Sequence, residues 1–513
     1  MGDKSLNFSV DVSDNPQHGD YSSNVALVLA KKDPKGAPKN PREVAEEIKN
    51  KIKSNLFSKV EIAGPGFINF FISDEFLRNR LLIILKKKNK FGESKIGKGR
   101  KVNIEFVSAN PTGPLTLGNG RGGFGGDVLS NVLEKAGYKV VREYYINDTG
   151  NQINKLGHSV IGDNEAVYKG KYIDNLKNKV SGKNPDEIGK KAAKIILEEM
   201  IKPSVKKMEI EFDKWFSETS LYKNGEVDKA IKNLSKKGFT YESEGALWFK
   251  SKNFGDDKDR VLVRADGVKT YFASDIAYIG NKFKRGFDKL IIFLGADHYG
   301  YVARLKAACQ ALGFDKDSID ALVLQLVKLF ENGKEVRMSK RFGTYVTIDE
   351  LIDEVGLDVA RFFFLQKSLN THFNFDMDLA KERSQKNPIF KVQYAYARIN
   401  SIFDKAKIKN VKTCGLGLLN EESEMGLIKQ LIRLSEIIED TALDYQVQRL
   451  PNYALELADS FHKFYESCKV ISEDKNLTKA RLSLALAASI VLENTLKLMG
   501  ISTPKRMERN EVK

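Results

Sequence analysis

Between residues 101 and 146 the chain runs through a short apolar strand, KVNIEFV, a Pro- and Gly-rich loop, SANPTGPLTLGNGRGG, and a helical stretch, FGGDVLSNVLEKAG, that stops at Gly137. A second strand, KVVREYY, follows at once. Strand, loop, helix and strand in this order make a βαβ unit, whose crossover sets the two strands parallel and opens the first half of a dinucleotide-type sheet. Parallel strands are covered on both faces, so they read as unbroken apolar runs. Two more such runs, KLIIFLG from Lys289 and ALVLQLVKLF from Ala321, continue the sheet. The polar, helical text between about 160 and 255, including PDEIGKKAAKIILEEMIKPSVKKMEIEF, reads as an insertion between its halves.

At 513 residues the chain exceeds what one hydrophobic core serves, so flanking domains are expected. Ahead of the sheet, a Lys-rich helical stretch, REVAEEIKNKIKSN, and strand-like FINFFIS after Gly64-Pro65-Gly66 predict a small α+β module. Beyond about 380 strand signals nearly vanish, and Leu427, Leu431, Leu434 and Ile438 recur at helical spacing. An all-α C-terminal domain is expected, its last helix stopped at Gly500 with Pro504 soon after.

The charge balance narrows the partner. Lys and Arg number 84 against 68 Asp and Glu, a net charge of +16, and cations of this kind gain affinity by displacing counterions from phosphates. Nucleic acid is favoured, although a generally Lys-rich background would give the same balance. Residues 86–101, KKKNKFGESKIGKGRK, hold eight basic side chains and one acidic, and read as a solvated linker able to touch a phosphate backbone or simply as a solvated run. Three cysteines, Cys309, Cys414 and Cys468, are too widely spaced for a structural zinc and odd in number for a disulfide framework. With no signal pattern and no window of eighteen apolar residues, a cytoplasmic protein without membrane contact is expected.

The loop after the first strand carries Gly118, Gly120 and Gly123 as G-x-G-x-x-G, with Glu143 twenty residues beyond, which taken alone is an NAD fingerprint. Ten residues, Pro111 and Pro114 among them, separate Val107 from Gly118, whereas that fingerprint puts its first glycine directly off the strand. A phosphate site at a helix N-terminus, with Arg121 adding charge, fits better, and a structural glycine turn is the plain alternative.

The segment IEFVSANPTGPLTLGNGRGG resembles the first signature of class I aminoacyl-tRNA synthetases in its arginyl form. REYYINDTGNQI at 142–153, WFSETSLY at 215–222, VLVRADGVKTYFASDIAY at 261–278 and GADHYGYVARLKAA at 295–308 resemble arginyl-synthetase blocks in the same order. VRMSKRFGTYVTIDELIDEVGLDVARFFFL from Val336 is similar to the second class I signature with its following helix. NPIFKVQYAYARI and LKLMGISTPKRM resemble the two ends of the arginyl anticodon-binding domain, and HGDYSSNVAL and GPGFINFFIS the additional N-terminal domain. Only seventeen residues precede HGDYSSN, so an opening helix of that domain is expected to be missing.

The resemblance implies an α/β Rossmann-like catalytic domain over 96–375 with its insertion at about 160–255, a small α+β N-terminal domain over 1–95 that contacts the tRNA elbow, and an all-α anticodon-binding domain over 376–513. It implies an arginine–tRNA ligase, most simply a monomer, using ATP with Mg2+ and no structural zinc, whose partners are L-arginine and tRNA(Arg). Where the family places two phosphate-binding histidines, this sequence has Thr116 and Asn119, which still carry donors. Arg337 and Lys340 are the cations of the second signature, and with Pro114, Gly118, Gly120, His298, Met338 and Ser339 they complete the implied ATP site. A structural role for His298 stays open.

Arginine recognition falls by resemblance to Glu105 and Asp275, with Ser108, Asn110, Tyr271 and Tyr301 around them. A planar five-donor guanidinium requires anionic acceptors when buried. Tyr271 and Asp275, four apart, share a helix face, while Glu105 in its apolar strand reads as either an exposed-edge or a functional residue. Tyr394, Tyr396 and Arg398 have the chemistry to hold unstacked bases of tRNA and equally that of a helix core. The missing histidines leave one rival, a non-catalytic tRNA-binding paralogue, and a small adenylyl transferase is a second, disfavoured by the helical C-terminal third.

Overall fold

The computed structural model describes residues 8–13, 15–31, 40–336, 346–407 and 414–507. They form two compact units, one from Met1–Phe91, Ile399–Arg433 and Asp459–Val491, the other from Gly92–Arg398, Leu434–Ala458 and Leu492–Lys513.

In the first unit, β1 (Val10–Val12), β2 (Tyr21–Ser23), β3 (Phe57–Ala63) and β4 (Phe67–Ile72) make an antiparallel sheet in the order β1-β2-β4-β3. Gly66, at φ 138°, turns β3 into β4, and a Cβ there would sit 2.9 Å from the Pro41 carbonyl oxygen. Helices α1 (Val25–Lys31) and α2 (Pro41–Lys51) bury Ala26, Ala30, Val44 and Ala45 with Ile68 of the sheet. The expected α+β module is present. Helix α3 (Asp74–Lys87) starts where the Ser73 hydroxyl accepts from Phe76 N at 3.3 Å, and Leu77, Leu81 and Ile84 bury one face.

The second unit begins with β5 (Lys101–Glu105), α4 (Leu117–Lys135) and β6 (Lys139–Ile146), the βαβ unit read from the sequence. Helices α5 (Asn151–Ile161), α6 (Lys171–Lys179), α7 (Pro185–Ile196) and α8 (Lys202–Lys207) lead to β7 (Lys214–Ser217). Then come α9 (Glu218–Lys223), α10 (Glu226–Lys236), a small antiparallel sheet of β8 (Thr240–Ser243), β9 (Ala246–Phe249) and β10 (Arg260–Val263), and α11 (Tyr271–Lys284). β11 (Lys289–Leu294), α12 (Tyr301–Leu312) and β12 (Ile319–Val323) complete a parallel sheet ordered β12-β11-β5-β6-β7. β7 lies inside the span expected as an insertion, yet it forms the edge of the main sheet by pairing with β6.

Two sequence expectations are corrected. The run from Ala321 is not one buried strand: it breaks after β12, Leu326 is 62% exposed, and β13 (Val327–Glu331) joins a different sheet with β14 (Lys334–Val336) and β15 (Phe373–Asp376). Composition could not show the break, because both halves are apolar. The basic stretch 86–101 is not a free linker: Ser94, Gly97 and Gly99 donate backbone hydrogen bonds of 2.9–3.0 Å to Lys135, Ala136 and Gly137, so its main chain is docked while its lysines stay exposed.

Helices α13 (Ile348–Val355), α14 (Leu357–Leu365), α15 (Met377–Lys381), α16 (Pro388–Ala406), α17 (Glu422–Ile432), α18 (Leu434–Asp444), α19 (Arg449–Ser467) and α20 (Lys475–Leu498) give the helical C-terminal third expected from periodicity. Arg361 of α14, fully buried, bonds Asp127 at 2.8 Å and the carbonyls of Met208, Glu209 and Met499 at 2.7–3.1 Å, which ties α4, the end of α8 and the end of α20 together. Gly500 follows at φ 66°, where a Cβ would fall 2.3 Å from the Arg361 guanidinium.

Candidate active site

β6 and β11 flank β5 on opposite sides, so the chain crossovers part at the carboxyl end of β5 and open a crevice there. Glu105 is the last residue of that strand, opposite Glu143 of β6 and Ile292 of β11. It is therefore central, not at an edge, and 8% exposed. A buried carboxylate demands a partner. Lys282 of α11 supplies it, with Nζ 2.5 Å from Glu105 Oε2 and no exposed surface of its own. Neighbouring Glu143 is fully engaged by Asn103 at 3.1 Å, Arg285 at 2.5 and 2.7 Å, and the Tyr278 hydroxyl. Burial would raise its carboxyl, but the Arg285 bonds and the Lys282 charge hold it below the usual range.

Helix α11 brings the rest. Tyr271, Asp275, Tyr278 and Lys282 follow i, i+4, i+7 and i+11, one stripe of the helix. Asp275 accepts a hydrogen bond from the Tyr301 hydroxyl of α12. Burial pushes its carboxyl up to about 7, opposed by that bond and reinforced by the Glu105 charge. Glu218, the first residue of α9, is 1% exposed and accepts from Ser274 Oγ at 2.8 Å. Burial lifts it too to about 7, with the Ser274 bond opposing and Asp275 adding. The phenol of Tyr145 on β6 is raised by burial and then by the charges of Glu218, Asp275 and Glu105, so three acidic side chains lie near it. Such a pocket suits a flat, delocalised cation. Tyr271, 43% exposed, lies at its mouth with its hydroxyl against Gly150.

The loop after β5 is strained where it enters the crevice: Val107 at φ 63° and Ser108 at φ 37° are consecutive non-glycine residues in left-handed backbone. Ser108 Oγ accepts from Tyr145 N at 3.0 Å, and Asn110 donates to Gln152 Oε1 at 2.8 Å. Thr116 then caps α4, its N and Oγ1 both donating to Asn119 Oδ1 at 2.9 Å. The Asn119 amide nitrogen donates to no described residue, and exposed Gly118 lies beside it, so a donor and bare backbone face outward at a helix N-terminus, with Pro114 half-buried just before.

Not every glycine of the motif serves a ligand. A Cβ on Gly120 would meet Ile348 at 2.5 Å and one on Gly123 Met208 at 2.6 Å, and the Gly120 N–H already bonds Thr116 O. Both permit close packing of α4. Arg121 is also corrected: it is fully buried, donates to the carbonyls of Gln325 and Ser368 at 3.0 and 2.7 Å, and burial lowers its guanidinium to about 10. It adds nothing to a phosphate site.

His298 stands in the turn after β11, its side chain 52% exposed and its ring edge-on to Tyr301 at 5.7 Å, so it is not a buried histidine. Arg337, Met338, Ser339 and Lys340 lie outside the described residues. The chain just beyond them is anchored at the first loop, since Thr347 bridges Thr116 and Ile348 N donates to Leu115 O at 3.1 Å. Of the tRNA candidates, Tyr396 is 5% exposed and belongs to the core of α16. Tyr394 and Arg398 bond each other at 2.9 Å on the same helix.

Three family models match in succession: "Arginyl tRNA synthetase N terminal domain" over residues 2–72, "tRNA synthetases class I (R), catalytic domain" over 80–166 and 158–371, and "DALR anticodon binding domain" over 392–507. The chain belongs to the class I arginyl-tRNA synthetases. The arginine–tRNA ligase of Caldanaerobacter subterraneus subsp. tengcongensis is 47% identical over 96% of this chain and 92% of that protein. That of Carboxydothermus hydrogenoformans is 44% identical over 98% and 94%. The solved arginyl-tRNA synthetase of Thermus thermophilus has the same fold, with a TM-score of 0.80 and 22% identity over 98% of this chain and 96% of that one.

Within this synthetase fold the sequence reading missed Lys282, Glu218 and Tyr145. The α11 stripe was the signal for Lys282, since a lysine two turns beyond Asp275 lies on the same helix face. Glu218 and Tyr145 carried no local signal.

Proposed function

We infer that this chain is an arginine–tRNA ligase. It activates L-arginine with ATP to arginyl-adenylate, releasing pyrophosphate, and passes the arginyl group to the 3′ end of tRNA(Arg), releasing AMP. The observation that carries the reading is the juxtaposition, at one carboxyl edge of one sheet, of the Glu105–Asp275 carboxylates and the outward-facing N-terminus of α4.

Activation is an in-line attack of the arginine carboxylate on the α-phosphate of ATP, so the protein contributes positioning and stabilisation of phosphate charge. Glu105 and Asp275 hold the guanidinium, Tyr271 and Tyr301 flank it, and Ser108 and Asn110 hold the α-amino end. Asn119, Thr116, Pro114 and Gly118 shape the nucleotide cradle, His298 lines it, and by family resemblance Arg337, Met338, Ser339 and Lys340 serve ATP and its leaving pyrophosphate. Mg2+ enters as part of the MgATP substrate. Lysine is rejected because a point-charge ammonium does not satisfy two acceptors set apart for a fork. Tyr394 and Arg398 are the remaining anticodon-side candidates.

The division into 1–95, 96–375 and 376–513 is supported by the three successive family matches. We place the protein in the cytoplasm as a monomer, and three free cysteines support a reducing compartment. Among the described residues no helix is long and apolar enough to cross a membrane. Retention of the acidic pocket favours the enzyme over a non-catalytic paralogue. The test is tRNA-dependent ATP–pyrophosphate exchange: exchange with arginine and none with lysine is expected, and no exchange above background overturns the reading.

A further inference from the structure

Glu105 and Asp275 each have one oxygen tied inside the protein. Glu105 Oε2 is held by Lys282 Nζ at 2.5 Å, and Asp275 Oδ2 by the Tyr301 hydroxyl. The other oxygen of each makes no hydrogen bond among the described residues and is not among the side-chain atoms sealed from solvent without a partner, so each keeps accessible surface. The ammonium of Lys282 has no exposed surface and also lies 4.3 Å from the centroid of the Tyr278 ring, whose hydroxyl is bound to Glu143. Taking an ammonium wholly out of water carries a desolvation cost that an ion pair of ordinary geometry does not recover. A pair placed for stability alone gains little here.

We propose that Lys282 is the positioning residue of the amino-acid pocket: it pins one oxygen of Glu105 so that only the other is offered to the guanidinium. The bound arginine is then gripped by one oxygen from each of two carboxylates, and not by both oxygens of a single one. Lys282 touches no substrate and acts through Glu105. The proposal rests on the assignment of Glu105 to arginine binding.

A double-mutant cycle tests it with the full-length enzyme, using arginine and ATP KM values and kcat in tRNA aminoacylation. Lys282→Met is expected to raise the arginine KM by about 10- to 100-fold with kcat and ATP KM within about twofold, the size of a lost buried charge contact. In a Glu105→Gln background the same change is expected to alter the arginine KM by less than about twofold, because the residue it acts through is already disarmed. That double variant leaves no lone buried charge, so it remains a folded reference. An equal effect in both backgrounds, or a drop in melting temperature with unchanged arginine KM, overturns the proposal. Should Lys282→Met and Lys282→Gln both unfold while the double variant stands, Lys282 is structural and the proposal falls. If Glu105→Gln alone leaves the arginine KM unchanged, it is the assignment of the pocket that fails.

Discussion

Asp275→Asn removes one charge from the pocket and keeps its shape, since an amide can still bond the Tyr301 hydroxyl. Because one oxygen of Asp275 is occupied by that hydroxyl, a single charge-assisted hydrogen bond to the guanidinium is at stake, together with the N–H left unsatisfied opposite it. Such a loss is worth about 2 to 4 kcal/mol, or about 30- to 1,000-fold in the arginine KM. Steady-state aminoacylation reads it directly, with the ATP KM and the thermal midpoint unchanged. The same residue sets a pH dependence. Its carboxyl, pushed up to about 7 by burial and the Glu105 charge against the opposing Tyr301 bond and the Lys282 and Arg304 charges, must be ionised to hold a cation, so arginine binding releases a proton. The wild-type arginine KM is therefore expected to rise as pH falls below about 7 and to level off above it. In Asp275→Asn that dependence shrinks to the share of Glu218, whose carboxyl is also raised to about 7. A change in arginine KM of less than about threefold, or an equal rise in the ATP KM, refutes the reasoning.

Asn119→Ala removes the outward donor at the start of α4 and is expected to lower kcat by about 10²-fold with the arginine KM unchanged, measured in the same assay. Arg361→Met strands Asp127 and three carbonyls, and urea unfolding is expected to show a loss of about 3–5 kcal/mol without a pocket effect. Gly157→Ala places a methyl 1.8 Å from the Pro185 carbonyl where α5 packs against α7, a backbone clash expected to cost about 1–3 kcal/mol in the same experiment.

The βαβ unit and the helical C-terminal third were legible because period and punctuation are local properties: apolar runs, a glycine stop, residues at helical spacing. The substrate carboxylates came from resemblance, and Glu105 in particular stayed ambiguous until β5 proved to be the central strand. The glycine motif misled in part, since Gly120 and Gly123 face Ile348 and Met208, residues far along the chain. Arg121 misled for the same reason, its carbonyl partners lying more than two hundred residues away.

By itself the sequence determined the element types, which depend on neighbours a few residues apart, and the basic charge balance, while the two acidic positions came only through resemblance. Only the tertiary structure decided which charges are spent and which are offered. Burial and pairing set whether a carboxylate or guanidinium is consumed, as Glu143 and Arg121 are, or left with an open oxygen, as Glu105 and Asp275 are, and those partners come from strands and helices that meet only when the sheet is assembled.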